Sequence, residues 1–413
     1  MIGGVSAGYF ANRFGRKGSL LMNNGVVVVA TGLMACSKLA KSYEMLIVGR
    51  FIIGLSAGVN TAIAPLYLAE IAPTAFRGLT GTFNQLSITT GVLVSELIGQ
   101  SFALGTEKLW PALLGFSIVP VIFQLIVLPF CPETPRFLIL NKGLDEEART
   151  ALTWLRGSSN VTDEVEEMRR EREEASRQEK FSVRNLLVDP FLRHALIISL
   201  VMQLSQQFSG INAVIYYSTD IFEGANLSEA VSKYATLGTG VINVLMTLIS
   251  ALIVDRAGRR TLHLIGLGGM FVFTTVLSLA LIFKDSVSWF SYLSIVSITF
   301  YIIFFATGPG SIPWFIVAEL FAQGPRPAAV SLSVLVNWFA NFTVGLGFPE
   351  VKDAIGPYTF IIFAVLLALF WLFTFFRVPE TKGRTIEEIQ NLFKATRAPV
   401  LYREINVTEE DIG

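Results

Sequence analysis

The sequence predicts an all-α membrane protein made of two homologous helical halves with a soluble helical insert between them. The first observation is composition: of 413 residues, 52% are hydrophobic and 15% charged, where a soluble domain carries about 25% charged residues. The second is a succession of apolar runs of about 20 residues, the length that crosses a bilayer. The third is a set of charged motifs that occur twice in one order. NRFGRK (Asn12–Lys17) returns as DRAGRR (Asp255–Arg260), and PETPR (Pro132–Arg136) returns as PETKGR (Pro379–Arg384). Glu70 and Arg77 in EIAPTAFRG return as Glu319 and Arg326 in ELFAQGPRP. Arg16 and Arg259 stand 243 residues apart, Arg77 and Arg326 249, Glu133 and Glu380 247. Such constant spacing is the mark of parallel repeats.

The elements follow in order. Met1–Ala11 is a partial span. Full spans are Ser19–Ser37, Met45–Leu68, Leu79–Phe102, Leu109–Phe130, Ala195–Tyr217, Tyr234–Val254, Thr261–Phe283, Trp289–Val317, Pro327–Phe348 and Pro357–Phe376. From Pro132 to Pro190 charges of both signs are dense, as in EVEEMRREREEASRQEK (Glu164–Lys180), which reads as short amphipathic helices or as a solvated spacer. After Pro379, TIEEIQNLF (Thr385–Phe393) predicts a short helix, and Leu401–Gly413 is polar, acidic and short of core-forming residues. The chain divides into an amino-terminal transmembrane half (1–131), a linker (132–190), a carboxy-terminal transmembrane half (191–378) and a terminal helix and tail (379–413). Two spans precede Asp255 in the second half, but only about eleven residues precede Asn12 in the first. The repeat arithmetic therefore predicts that the first helix is missing and the second clipped, with about eleven of twelve helices present.

Short-loop Lys and Arg set the orientation. Arg13, Arg16, Lys17, Arg77, Arg256, Arg259, Arg260, Arg326, Lys382 and Arg384 fall on one side when spans alternate. That side, the insert and the C-terminus are predicted to be cytoplasmic in a multi-pass protein of the cell membrane. Zero net charge argues against nucleic-acid binding, and two His and two Cys leave little for a metal site or a disulfide framework. Cys36 and Cys131 fall on opposite faces and are expected as free thiols. No cofactor or metal is expected, and no nucleotide-binding G-x-x-x-x-G-K-[ST] motif is present. Of the acceptor sequons, Asn226 faces outward, Asn160 and Asn406 face the cytosol, and Asn341 lies in a span.

The stretch QLSQQFSGINAVIYYS (Gln203–Ser218) carries the candidate chemistry. Gln203, Ser205, Gln206, Gln207, Ser209 and Asn212 recur through it, and no ionisable side chain does. Amides facing lipid cost several kcal/mol, roughly, so they face other helices or a watery cavity. They serve either as interhelical glue or as donor–acceptor groups for a hydroxyl-rich ligand such as a sugar. Gly210 lets this helix open, and Gly308, Pro309, Gly310 and Pro313 interrupt another in mid-membrane, which is tolerated where a break lines a cavity. Trp314 beside that break suits the apolar face of a pyranose.

Several long motifs resemble the sugar porters of the major facilitator superfamily, and within it the animal facilitative glucose transporters (GLUT group). They are GRF at Gly49–Phe51, PETPRFL at Pro132–Leu138, the Gln203–Ser218 stretch, DRAGRRTLHLIG, IPWFIVAELFAQGPRPAA at Ile312–Ala329, NWFANF at Asn337–Phe342 and VPETKGRT at Val378–Thr385. The resemblance implies alternating access to a hexose, most often D-glucose, without enzymatic chemistry. It places Gln203 in the glucose-selective QLS triplet. It implies sugar contacts at Gln206, Gln207, Asn212, Asn243 and Trp314, at Gln85 from the first half, and at Asn337 and Asn341 nearby. Tyr216 and Tyr217 match aromatics that close the site from outside. Arg16, Glu70, Arg77, Glu133, Arg259, Glu319, Arg326 and Glu380 match the salt-bridge networks that latch the inner gate; positive-inside topology explains the arginines but not the glutamates. Two departures bear on selectivity. Ala306 stands where glucose-selective members carry a sugar-binding glutamate, as in fructose-selective members, and Ser311 replaces a proline. The leading expectation is a uniporter of glucose, with fructose or broad hexose transport as the alternative. A proton-coupled symporter would use an aspartate on the first helix, which this chain lacks, and a non-transporting truncated form or sensor is the third possibility.

Overall fold

The computed structural model describes residues 1–73, 77–177, 183–286, 289–321, 324–382, 384 and 388–389. Most of the predicted helix Thr385–Phe393 and all of the acidic tail lie outside these. Among the described residues the regular structure is entirely helical.

Each predicted span falls on helix, and seven helical stretches among the described residues are long and apolar enough to cross a membrane. α1 (Ile2–Cys36) holds the partial span and the next one, divided at Gly15. α2 (Tyr43–Ile71) starts on Ser42, whose hydroxyl accepts the Met45 N–H at 3.3 Å, a side-chain N-cap. α3 (Arg77–Ile98) follows. The single helix expected over Leu109–Phe130 is two, α4 (Trp110–Gly115) and α5 (Ile118–Val127), closed by a 3₁₀ turn at Leu128–Phe130. Pro120 explains the division: it has no N–H to give the Phe116 carbonyl one turn back.

The insert is packed rather than merely solvated. A π-helical turn (Phe137–Lys142) leads into α6 (Asp145–Arg156) and α7 (Thr162–Arg177), and α8 (Val183–Val188) follows. Ile139, Ala148, Leu152, Val161, Val165 and Met168 form a small apolar core between the π-helical turn, α6 and α7, whereas Leu186 of α8 packs with the carboxy-terminal helices. Arg136 pairs with Glu171 at 2.7 Å and Arg169 with Asp145 at 2.7 Å. Arg156 ties the insert to the bundle, because it pairs with Glu164 at 2.9 Å and donates to the Ile71 carbonyl at the end of α2 at 2.9 Å.

The second set of helices begins with α9 (Pro190–Gln207), where Asp189 caps the N-terminus and Pro190 occupies the position that needs no N–H. It continues with α10 (Ile211–Gly224), α11 (Glu229–Ala257), α12 (Arg259–Ile282), α13 (Phe290–Thr307), α14 (Ile312–Leu320), α15 (Arg326–Ile355) and α16 (Thr359–Arg377). The two sets meet where α3 packs on α11 and α1 on α15. At the second contact a Cβ on Gly4 would lie 2.9 Å from Val334 Cγ1, so the helices touch backbone to side chain. Large apolar side chains such as Ile47, Phe123, Leu252 and Phe376 point outward, as lipid-facing surfaces require. Cys36 and Cys131 are free thiols.

The doubled motifs fold alike. Gly15 (φ 81°, ψ 177°) and Gly258 (φ 91°, ψ 153°) take up backbone angles that are nearly exclusive to glycine. Each reverses the chain directly over a glutamate of the PET motif. Glu133 accepts the N–H groups of Arg16 and Lys17, each at 3.1 Å. Glu380 accepts those of Arg259 at 2.8 Å and Arg260 at 3.1 Å. The carboxylate thus supplies acceptors and negative charge to a helix start. A Cβ would lie 2.5 Å from Glu380 Oε2 at Gly258 and 2.2 Å from Glu133 Oε2 at Gly15.

Gly258→Ala is therefore expected to destabilise the fold by about 1–3 kcal/mol from backbone strain alone, with more from displacing Glu380. Thermal unfolding in detergent should show a clear fall in midpoint. Gly238→Ala on the same helix, where a Cβ meets open space, is expected to leave the midpoint unchanged or slightly raised.

Candidate functional site

Two helix breaks face each other. The first lies between α9 and α10, where Gly210 adopts φ 94°. A Cβ there would lie 2.8 Å from the Phe363 ring, so glycine is required by both angle and space. The second lies between α13 and α14, across Gly308–Ser311. Each break frees backbone carbonyls that have no helical partner. Side chains from the opposite break reach them. Gln206 Nε2 donates to the carbonyls of Pro309 at 3.0 Å and Gly310 at 2.8 Å. Gln203 Nε2 donates to the Pro313 carbonyl at 3.0 Å. In return Tyr301 of α13 donates its hydroxyl to the Ser209 carbonyl at 2.9 Å.

The amide oxygens of these glutamines point toward α15. Asn337 Nδ2 donates to Gln203 Oε1 at 2.7 Å and to Gln206 Oε1 at 2.8 Å. Gln207 Nε2 donates to Asn337 Oδ1 at 3.0 Å and to Gln206 Oε1 at 3.2 Å. Gln207 Oε1 accepts from Asn212 Nδ2 and, at 3.3 Å, from Asn341 Nδ2. Asn341 Nδ2 also donates to the Tyr216 hydroxyl at 3.4 Å. One connected network therefore joins Gln203, Gln206, Gln207, Asn212, Asn337, Asn341 and Tyr216. The three glutamines, Asn212 and Asn337 are buried. Tyr217 closes the neighbouring turn: its hydroxyl donates to the Gly345 carbonyl at 3.1 Å and its ring lies 5.2 Å from that of Phe348.

The sequence profile of the sugar (and other) transporter family matches residues 1–393. The chain belongs to this sugar transporter family. It is similar to facilitated glucose transporter member 1 of Gallus gallus, 51% identical over 394 residues that cover 95% of this chain and 80% of the relative. It is 51% identical to member 3 of Ovis aries, covering 95% of this chain and 79% of that one. Among solved structures it resembles the proton:xylose symporter XylE bound to 6-bromo-6-deoxy-D-glucose, with a TM-score of 0.80, 27% identity and coverage of 95% of this chain and 86% of that one. An inward-open form of XylE from E. coli matches with a TM-score of 0.77, 28% identity and coverage of 95% and 86%. The fold is that of the major facilitator superfamily, and the relatives are named as transporters.

Not every residue expected at the site of this sugar transporter joins the network. Gln85 is half-buried on α3, and no described side chain bonds its amide. Asn243 is buried on α11, and its Oδ1 has no partner among the described residues. Trp314 is half-buried in the first turn of α14, and Ala306 is buried near the end of α13.

The charged motifs form two separate clusters, each within one set of helices. Arg16 pairs with Glu70 at 2.7 Å, and Arg259 with Glu319 at 3.0 Å. Arg16 also donates to the Ala11 carbonyl at 3.4 Å, and Arg259 to that of Val254 at 3.1 Å, in each case five residues back. Thr381 donates to the second oxygen of Glu319. Arg326 donates to the Phe321 carbonyl at 3.1 Å. The Arg77 side chain lies outside the description.

Three residues escaped the sequence reasoning. Tyr301 sits in an apolar run with no motif around it. His263 bonds Ser205 through Nε2 at 3.2 Å, and both are buried. Glu96 did leave a signal, a lone carboxylate inside the apolar span Leu79–Phe102.

Asn337 is the hub, since it bonds three glutamines at once. Asn337→Leu keeps the bulk, strands the buried Gln203 Oε1 and removes one of two bonds each from Gln206 Oε1 and Gln207 Nε2, at about 1–3 kcal/mol for an unsatisfied group. The expected result is a large fall in thermal midpoint; Asn341→Leu, at the partly exposed edge, should cost far less in the same assay.

Proposed function

We propose that this sugar transporter is a facilitative hexose uniporter of the cell membrane, with D-glucose its principal substrate. The observation that carries this reading is the amide network at the facing breaks. Amides donate and accept together, and so match hydroxyls that do both. The network is satisfied within itself, so sugar enters by exchanging one set of hydrogen bonds for another. The net gain per bond is then about 0.5–1.5 kcal/mol, which suits a carrier that must also release its cargo. Asn243 Oδ1 supplies an acceptor with nothing to lose, and Trp314 an apolar face. The names of the relatives, facilitated glucose transporters, support glucose and passive movement.

In this reading the two helical repeats, 1–131 and 191–378, rock about the site. Arg16, Glu70 and Glu133 in one, and Arg259, Glu319 and Glu380 in the other, hold the helix ends on the cytoplasmic face, with Arg77 and Arg326 beside them. The insert and C-terminus face the cytosol. Tyr216 and Tyr217 cover the site from the opposite side. Ala306 favours a second reading, acceptance of fructose as well as glucose, because a methyl group leaves room and offers no charged acceptor.

The direct test is counterflow of labelled glucose in proteoliposomes. Uniport predicts exchange with no accumulation driven by a pH gradient; gradient-driven accumulation would mean symport, and absence of exchange a non-transporting chain. Gln206→Leu removes an amide from the site and is expected to weaken glucose affinity about 5- to 150-fold, the equivalent of about 1–3 kcal/mol. Ala306→Glu adds a charged acceptor and is expected to raise the glucose-to-fructose preference in competition assays. Arg259→Ala should loosen the cytoplasmic face and move the balance of states toward inward-open, tenfold for each shift of about 1.4 kcal/mol. Inhibitor binding from the outside should then fall while binding from the inside rises; equal losses on both sides would argue against a gating role.

A further inference from the structure

We propose that Glu96 is a proton-binding site on the seam between the two sets of helices, with the proton holding that seam closed. Glu96 lies near the end of α3, the end away from the Arg–Glu clusters, since α3 starts at Arg77 six residues after α2 ends. There it packs against α11 of the other set. Its Oε2 sits so close to Gly240 that a Cβ on that glycine would be 2.5 Å away, with Leu93 Cδ1 at 3.1 Å from the same point. Glu96 Oε2 is buried and has no hydrogen-bond partner among the described residues.

No countercharge among the described residues pairs with it. On α11, Glu229 and Lys233 pair with each other at 2.5 Å at the helix start, and Asp255 and Arg256 belong to its far end. The residues of α11 that flank Gly240 are the neutral Thr236, Thr239 and Asn243. On α2, Glu44 and Arg50 lie at the same end as Glu96 but are exposed and form no ion pair with it, and Glu70 near the other end pairs with Arg16. The only other charged residue of α3 is Arg77, at its opposite end. An ionised oxygen so placed, inside a membrane span, is costly, and binding a proton removes the cost.

The seam is also where the two sets must part when the site opens to this face, a point that rests on the alternating-access reading above. Parting exposes Glu96 to water, which favours the carboxylate; closing returns it to Gly240 and Leu93, which favours the acid. The carboxylate takes its proton from the aqueous phase on this face and returns it to the same phase. No proton crosses the membrane, so the device is compatible with uniport. Acid on this face favours the closed seam and alkali the open one, by linkage.

The test is the distance between spin labels on either side of the seam, in the full chain with Cys36→Ser and Cys131→Ser and with labels at Ser101→Cys and Tyr234→Cys. Between about pH 5 and about pH 8 the separated population is expected to grow, by up to about tenfold per pH unit for one proton. Glu96→Gln imitates the neutral acid and should show one distribution at both pH values; should it fail to fold, Glu96→Met carries the same expectation. Identical distributions for the unaltered Glu96 protein at both pH values, or an equal pH response after substitution, would overturn the proposal. Sugar counterflow is read separately: exchange with a pH-blind seam refutes the proton site and keeps the transport reading, and a pH-responsive seam without exchange does the reverse.

Discussion

The constraint on which the rest of this structure depends is that a backbone carbonyl inside a membrane must find a donor. Two helices break in mid-span, and at the second break the backbone across Gly308–Ser311 departs from the helix. Gln206 and Gln203 answer for the Pro309, Gly310 and Pro313 carbonyls, and Tyr301 answers for Ser209. Once the amide nitrogens are committed to backbone, the amide oxygens must point the other way. That is why Asn337 and Gln207 gather around them, and why Asn212 and Asn341 follow. The same side chains thus work in two directions: the nitrogen end holds the breaks together while the oxygen end gathers the amides of α10 and α15.

Much of this was legible in the sequence because membrane physics is severe. Lipid tolerates few polar residues, so spans stand out, and Gly210 and the Gly308–Pro313 run declared the breaks in advance. The doubled motifs gave the repeat. What stayed hidden depended on contacts distant in sequence. Nothing local to PETPR says that Glu133 will cap a helix starting 117 residues earlier, or that Gly15 must be bare so that it can. Pro120 was readable as a breaker, yet the apolar run around it masked the division of α4 from α5. Gln85 and Asn243 were placed by resemblance, and the structure leaves their amides unbonded by the network, a distinction that residue type alone does not carry.

The repeat also shows how far the two sets have diverged. At the Gly–Glu turns the geometry is nearly superposable in kind: one glycine, one carboxylate, two N–H groups and one guanidinium reaching back five residues. The neighbouring threonines differ. Thr381 donates to Glu319, whereas Thr134 Oγ1 and Glu70 Oε2, their counterparts, are each buried with no partner among the described residues. A buried hydroxyl and a buried carboxylate oxygen without partners among the described residues mark the amino-terminal cluster as the looser one, since each unmade bond leaves a desolvation penalty unrelieved. The insert compensates from outside, through Arg136 on Glu171 and Arg156 on the end of α2.

This asymmetry bears on how such a molecule moves. The carboxy-terminal helices carry the network, and so they are cross-linked internally by bonds that run between α9, α13–α14 and α15. Among the described residues the amino-terminal helices show no comparable polar lattice, and they meet the others through small-residue contacts, Gly4 on Val334 and Glu96 on Gly240. Small residues allow close approach without interlocking, so these seams can part at low cost while the network stays whole. In the alternating-access reading proposed above, a set of helices that is stiff and bounded by smooth seams would carry the site intact between two exposures. Among the described residues of this contact Glu96 stands opposite neutral side chains, Thr236, Thr239 and Asn243, and in the proposal above its proton sets whether the seam is closed.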